Sequence, residues 1–185
     1  MSRNQTSNLI NSSKTLAILL FLTVLLLSMY SCSRLPKGQR ILHTPYFSIQ
    51  HPNSWKAVRA DYHYSLNGPI EENYVVNMKL DFNPELDLSL KLFKETVESQ
   101  NQITSLPGFV AISEKELNIN GVPALQRIIK TRVSLAQNEE VNLMVFLTYL
   151  IQDNLGVVIT AEVPENSYLA YTFLFDDMIQ SFRFK

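Results

Sequence analysis

The segment Val141–Gln152, VNLMVFLTYLIQ, constrains the fold of this chain more than any other. Read as an extended strand, it places Val141, Leu143, Val145, Leu147, Tyr149 and Ile151 on one face and Met144, Phe146 and Leu150 on the other. Successive side chains of a strand point to opposite faces, so both faces here are apolar and both must be covered. The segment is therefore expected in the interior of a sheet that lies between two layers. It turns at Asp153-Asn154-Leu155-Gly156 into a second strand, Val157 to Glu162. Ahead of it, Phe109 to Leu117 and Ala124 to Val133 flank Asn118-Ile119-Asn120-Gly121. Asn-Gly is a strong hairpin signal because both residues tolerate positive φ. Two successive hairpins point to an antiparallel sheet.

Other segments supply the covering layers. Ser89 is a fitting N-cap for a helix to about Gln102, whose apolar stripe is Leu90, Phe93 and Val97. Lys91 with Glu95, and Lys94 with Glu98, read as i, i+4 pairs on its wet side. A closing helix capped by Asn166 or Ser167 carries Tyr168, Tyr171, Phe175, Met178 and Phe182 at helical spacing, widened by Leu174 and Ile179. Asp176 and Asp177 fall late in it, where negative charge opposes the helix dipole. Ser181 to Lys185 reads as a short final strand. Asn73 to Phe82 alternates with one apolar face (Tyr74, Val76, Met78, Leu80, Phe82), which predicts a strand near the sheet edge. Tyr46 to Gln50 is a strand leading into the turn His51-Pro52-Asn53-Ser54-Trp55, where Trp55 is expected to plug the end of the core. Lys56 to Gly68 reads as loop with one short strand.

The order strand, Trp turn, strand, helix, two hairpins and helix resembles the PsbP-like superfamily. The residues that carry the resemblance are FSIQHPNSW (Phe47 to Trp55), NGVPALQR (Asn120 to Arg127) and SFRF (Ser181 to Phe184). That family includes the extrinsic photosystem II protein PsbP and bacterial envelope proteins of the DcrB type. The resemblance implies an α+β fold, an α/β/α sandwich around a central, mostly antiparallel sheet. It also implies non-catalytic accessory roles in membrane-associated complexes. Nothing in these residues points to photosynthesis in particular.

The first residues set an address. Met1 to Thr15 carries Arg3 and Lys14 and no acid, and an apolar run follows from Leu16 to Leu27. A positive start, a short apolar core and a small-residue exit describe a secretory signal peptide. The run is short of the roughly 20 apolar residues that span a bilayer; an uncut single-span anchor is the competing reading. Met29-Tyr30-Ser31-Cys32 resembles the lipobox of bacterial lipoproteins. That resemblance implies diacylglyceryl on the Cys32 sulfur, cleavage between Ser31 and Cys32, and a fatty acyl group such as palmitate on the new amine. Each buried CH₂ adds about 0.8 kcal/mol, so several chains hold firmly. Met29 and Tyr30 depart from the commonest form of the box, and an ordinary signal peptide followed by a chance cysteine is its rival. Ser33 after the cysteine implies the outer membrane by the sorting rule of well-studied diderm bacteria. The expected organisation is a signal peptide over residues 1–31, a lipidated tether over 32–43 and one PsbP-like domain over 44–185.

Charge and motifs exclude several functions. Without residues 1–31 the sixteen Lys and Arg fall to fourteen against seventeen acids, a mildly acidic balance unsuited to nucleic acid. Cys32 is the sole cysteine, so no internal disulfide forms. The three histidines are His43, His51 and His63; His51, Asp61 and His63 could approach one another, but no tight metal-ligand spacing such as HExxH or CxxC is present. No GxSxG elbow and no glycine-rich phosphate loop occur. Glu71-Glu72, Glu139-Glu140 and Asp176-Asp177 are adjacent in sequence, and neighbours on a strand point apart. The expectation is no cofactor, no metal and no catalysis, in a membrane-anchored envelope lipoprotein that docks on an envelope protein complex. The alternative is a carrier. Its ligand, a lipid or other small apolar molecule, would lie in a cleft between sheet and closing helix lined by Tyr149, Tyr168, Tyr171 and Phe175.

Overall fold

The computed structural model describes residues 38–135 and 139–185. Among these, the elements in chain order are β1 (Gln39–His43), β2 (Phe47–Pro52), β3 (Lys56–Ala60), β4 (His63–Glu71), β5 (Tyr74–Asn83), α1 (Leu90–Gln100), β6 (Val110–Ile119), β7 (Val122–Ser134), β8 (Glu140–Gln152), β9 (Leu155–Pro164), α2 (Tyr168–Gln180) and β10 (Arg183–Phe184). Seven strands form one antiparallel sheet in the order β3-β4-β5-β9-β8-β7-β6, and β1-β2-β10 form a small second sheet.

The doubly apolar segment is β8, which lies between β9 and β7. Val141, Leu143, Val145, Leu147 and Tyr149 join one core with Phe93 of α1. Met144, Phe146 and Leu150 join a second core with Phe175, Met178 and Ile179 of α2, Phe47 and Ile49 of β2, and Phe182. Each large side chain buried in this way contributes about 1.5–3 kcal/mol, which is why both faces of one strand can be apolar.

The hairpin turns are as tight as their residues permit. Asn120 and Gly121 take φ of 56° and 90°, and the Asn118 side chain accepts a 2.8 Å hydrogen bond from the Gly121 N–H. Asp153 and Asn154 both have positive φ, and the strand resumes at Leu155, so this turn is shorter than the four residues expected. Ser89 caps α1 by accepting from the Leu92 N–H. The closing residues form β10 against Ser48 and Phe47 of β2.

Three expectations need correction. First, the folded chain starts ahead of Thr44: β1 pairs with β2 residue by residue from Gln39 to His43. It shows no apolar period because backbone pairing, not core burial, holds it there. Second, residues 56–68 contain β3 and most of β4, not a loop with one short strand. Gly68 and Pro69 sit in a bulge of β4. A side chain at Gly68 would come within 2.6 Å of the Trp55 indole, so the indole rests on bare backbone. Third, β5, expected near the sheet edge, is the third strand of seven and is paired on both sides. It has a single apolar face because α1 lies over β7 and β8 and leaves the outer face of β5, with Asn77, Lys79 and Asp81, without a covering layer. Ser31, Cys32 and the signal segment lie outside the described residues.

Candidate functional site

Beneath the closing helix, aromatic side chains pack on one another. Phe146 stacks on Tyr168 with centroids 5.7 Å apart and meets Phe175 edge-on at 5.4 Å. Tyr171 lies 5.9 Å from Phe175, and Trp55 closes the end of the same cluster at 6.2 Å from Phe175. Tyr149 is not there. It stands three residues from Phe146 on β8, an odd offset that turns it to the opposite face, where it meets Phe93 edge-on at 6.4 Å. Tyr168, Tyr171 and Phe175 are thus brought together, and Tyr149 is kept from them by the full thickness of the sheet. The Tyr171 hydroxyl donates a 3.0 Å hydrogen bond to Glu71, and burial and that carboxylate push its pKa up to about 12.

Open space occurs on the other face. A groove of about 780 Å³ runs between α1, with the turn that follows it, and the sheet. Its floor is Val145 and Leu147 of β8 and Val158 of β9; Val97, Ile103 and Leu106 form the helix-side wall. Lys79, Asp81, Thr160 and Glu162 form the opposite rim, the uncovered face of β5 and β9. The rim is internally matched in charge. Lys79 pairs with Asp81 at 2.8 Å, and Glu162 accepts from the Tyr74 hydroxyl and, at 3.1 Å, from Asn77 Nδ2. Burial first and Glu162 second raise the Tyr74 pKa, so the phenol remains a donor.

A set of charges fixes α1 at its height above the floor. Glu98 accepts a 2.5 Å hydrogen bond from Arg127 on β7 and a 3.2 Å bond from the Tyr149 hydroxyl. Lys94 reaches Glu114 on β6 at 2.6 Å, and the Arg127 guanidinium lies 5.4 Å over the Phe109 ring. Burial and the Glu98 carboxylate hold the Tyr149 pKa well above the ordinary phenol value. Lys94 and Glu98 are therefore not a wet pair; their mutual contact is 4.0 Å, and each makes a shorter bond to the sheet. The signal in the sequence was Arg127 itself, which falls between Leu125 and Ile129 on a face that has to be covered. At the far end, Gly156 of β9 leaves room for Leu86 and Phe93, which would lie 2.7 and 2.9 Å from an added Cβ.

The histidines are dispersed. His51 is buried on β2 with Nδ1 against the Pro52 carbonyl at 2.9 Å, His43 is exposed on β1, and His63 pairs across β4 with Ala60 and Asp81. Among the described residues no three His, Cys, Asp or Glu side chains converge to hold a metal.

No protein-family model and no curated protein sequence matches the chain. Solved structures do. Cyanobacterial PsbP (CyanoP) from Synechocystis sp. PCC 6803 superposes with a TM-score of 0.58 at 16% identity, over 84% of this chain and 98% of that one. The fold is PsbP-like. The Ran-binding protein Mog1p of Saccharomyces cerevisiae matches at 0.55 and 13% identity over 81% and 96% of the two chains. LpqN, involved in cell envelope biogenesis of Mycobacterium tuberculosis, matches at 0.55 and 10% over 80% and 90%. In this PsbP-like chain the layers are α1, the seven-stranded sheet, and a third layer in which α2 is joined by β1-β2-β10.

Proposed function

We propose that the chain is a lipid-anchored accessory protein of the cell envelope that acts by binding and docks on another envelope protein. One observation carries this reading. On α2, whose inner residues Phe175, Met178 and Ile179 are buried, Leu169 and Phe173 each keep 80% of their surface exposed. They stand four residues apart and so adjoin on the helix surface, with exposed Ala170 beside them. Grouped apolar side chains on a helix already well packed on its inner side mark a contact site more readily than single ones do. The scaffold is consistent with such work: one structure of the same fold is a Ran-binding protein, and another takes part in cell envelope biogenesis. Anchorage rests on Met29-Tyr30-Ser31-Cys32 and the apolar run before it. Amine-reactive crosslinking of the full chain in intact cells is expected to recover one envelope protein reproducibly. Failure to recover any protein neighbour across repeated experiments overturns the docking reading.

The groove under α1 favours a second reading, a carrier of a small apolar molecule. Its volume of about 780 Å³ and apolar floor match small-molecule sites, which typically run from about 300 to 1,000 Å³. Native mass spectrometry of the full chain released from detergent should then show a retained small molecule; a protein that is always empty argues for docking alone.

A further inference from the structure

Resting on the docking reading, we infer that the outer row of α2, Leu169, Phe173 and Asp177, receives a protein segment bearing an apolar pair followed by a Lys or Arg. The three residues recur every fourth position on the exposed side. At 1.5 Å per residue they present a line about 12 Å long. Each breaks a local rule. Leu169 and Phe173 expose apolar surface, and Asp177 puts a negative charge in the last turn, where the helix dipole disfavours it. Local rules broken together on one row are the mark of a functional surface.

Charge selects the occupant. α2 contains Asp176 and Asp177 and no Lys, Arg or His, and among the described residues no cation lies within 4.0 Å of either carboxylate. A cationic side chain on the partner relieves both the unpaired charge and its conflict with the dipole. An anionic membrane surface would be repelled by the two carboxylates. A second copy fits badly too. Antiparallel pairing centred on Tyr171 sets Leu169 against Phe173 but Asp177 against Glu165, whose carboxylate already takes Lys130 at 2.6 Å, so Asp177 gains no free cation there. The buried inner face holds the row rigid, so little side-chain ordering is needed on binding.

The test places the photocrosslinking residue p-benzoylphenylalanine at Phe173 of the full chain in cells, alone or combined with Asp177→Lys or Asp177→Asn. The expected result is a protein adduct whose crosslinked peptide carries Lys or Arg within about one turn of the attachment. Its yield should fall about fivefold or more with Asp177→Lys, as a rim charge pair of about 1 kcal/mol requires, and less with Asp177→Asn. Lys at this position suits the helix dipole, so lost yield does not report unfolding. An adduct indifferent to Asp177→Lys, one with lipid or with a second copy, or none above that obtained from Lys115 on β6 overturns the inference. If Phe173 gives no adduct while amine-reactive crosslinking still finds a neighbour, this face is wrong and the docking reading stands. If neither finds one, both fall.

Discussion

The phenol of Tyr149 donates to the carboxylate of Glu98 at 3.2 Å, so the interior strand β8 is bonded directly to the helix above it. The same carboxylate takes the Arg127 guanidinium at 2.5 Å. The groove owes its height to these contacts. They hold α1 over β7 and β8 rather than letting it settle across β9 and β5.

Arg127→Leu should therefore cost more than the removal of a surface ion pair. It strands Glu98 in a largely buried position, a loss of about 3 kcal/mol in urea unfolding. Adding Glu98→Gln should restore part of it, because the uncompensated charge is gone. Equal stability of single and double variants would contradict the role given to Glu98.

Gly156→Ala is predicted to destabilise by about 1–3 kcal/mol through overpacking, since the new methyl meets Leu86 at 2.7 Å and Phe93 at 2.9 Å. Adding Leu86→Ala opens the space and should recover part of the loss. No recovery would mean that the glycine serves some other purpose.

The phenols predict an alkaline limit. Tyr171 is raised from 10.0 to about 12 in the folded chain, and Tyr74 and Tyr149 move in the same direction. Between those pH values the unfolded chain releases phenol protons that the folded chain retains, so stability falls as pH rises. The contribution is fully present below about pH 10 and is lost toward pH 12. Tyr149→Phe should flatten this fall between pH 9.5 and 11, as read by chemical denaturation at each pH. A slope equal to wild type would show that burial and Glu98 do not hold the Tyr149 proton in the folded chain.

Cys32→Ser should abolish incorporation of labelled fatty acid and leave the leader uncut. Persistent labelling of the variant would remove the lipid anchor from the account.

The two-faced apolar pattern of Val141–Gln152, the Asn-Gly turn and the aromatic stripe of the closing helix were legible because each depends on local period or backbone tolerance. The groove was not. Its existence depends on where α1 lands, and that is decided by Arg127 and Tyr149, which lie 29 and 51 residues from Glu98 in the chain. The same non-local fact gives the interior strand β5 the one-sided pattern of a strand near the edge. Strand parity divides the residues of β8 between faces without saying which helix covers which face, so by itself it does not separate Tyr149 from Tyr168, Tyr171 and Phe175. Residues 56–68 were obscured by the Gly68-Pro69 bulge, whose purpose becomes visible only with Trp55 seated on it.

The central claim is that the chain acts by docking through the outer face of α2. The double substitution Leu169→Ser with Phe173→Ser tests it most directly, because both side chains are exposed and their loss should leave folding stability within about 0.5 kcal/mol of wild type. Measured by quantitative crosslinking in cells at matched protein levels, the account predicts that this variant stays folded and loses its envelope neighbour. A folded variant that keeps the neighbour at the wild-type yield would contradict it.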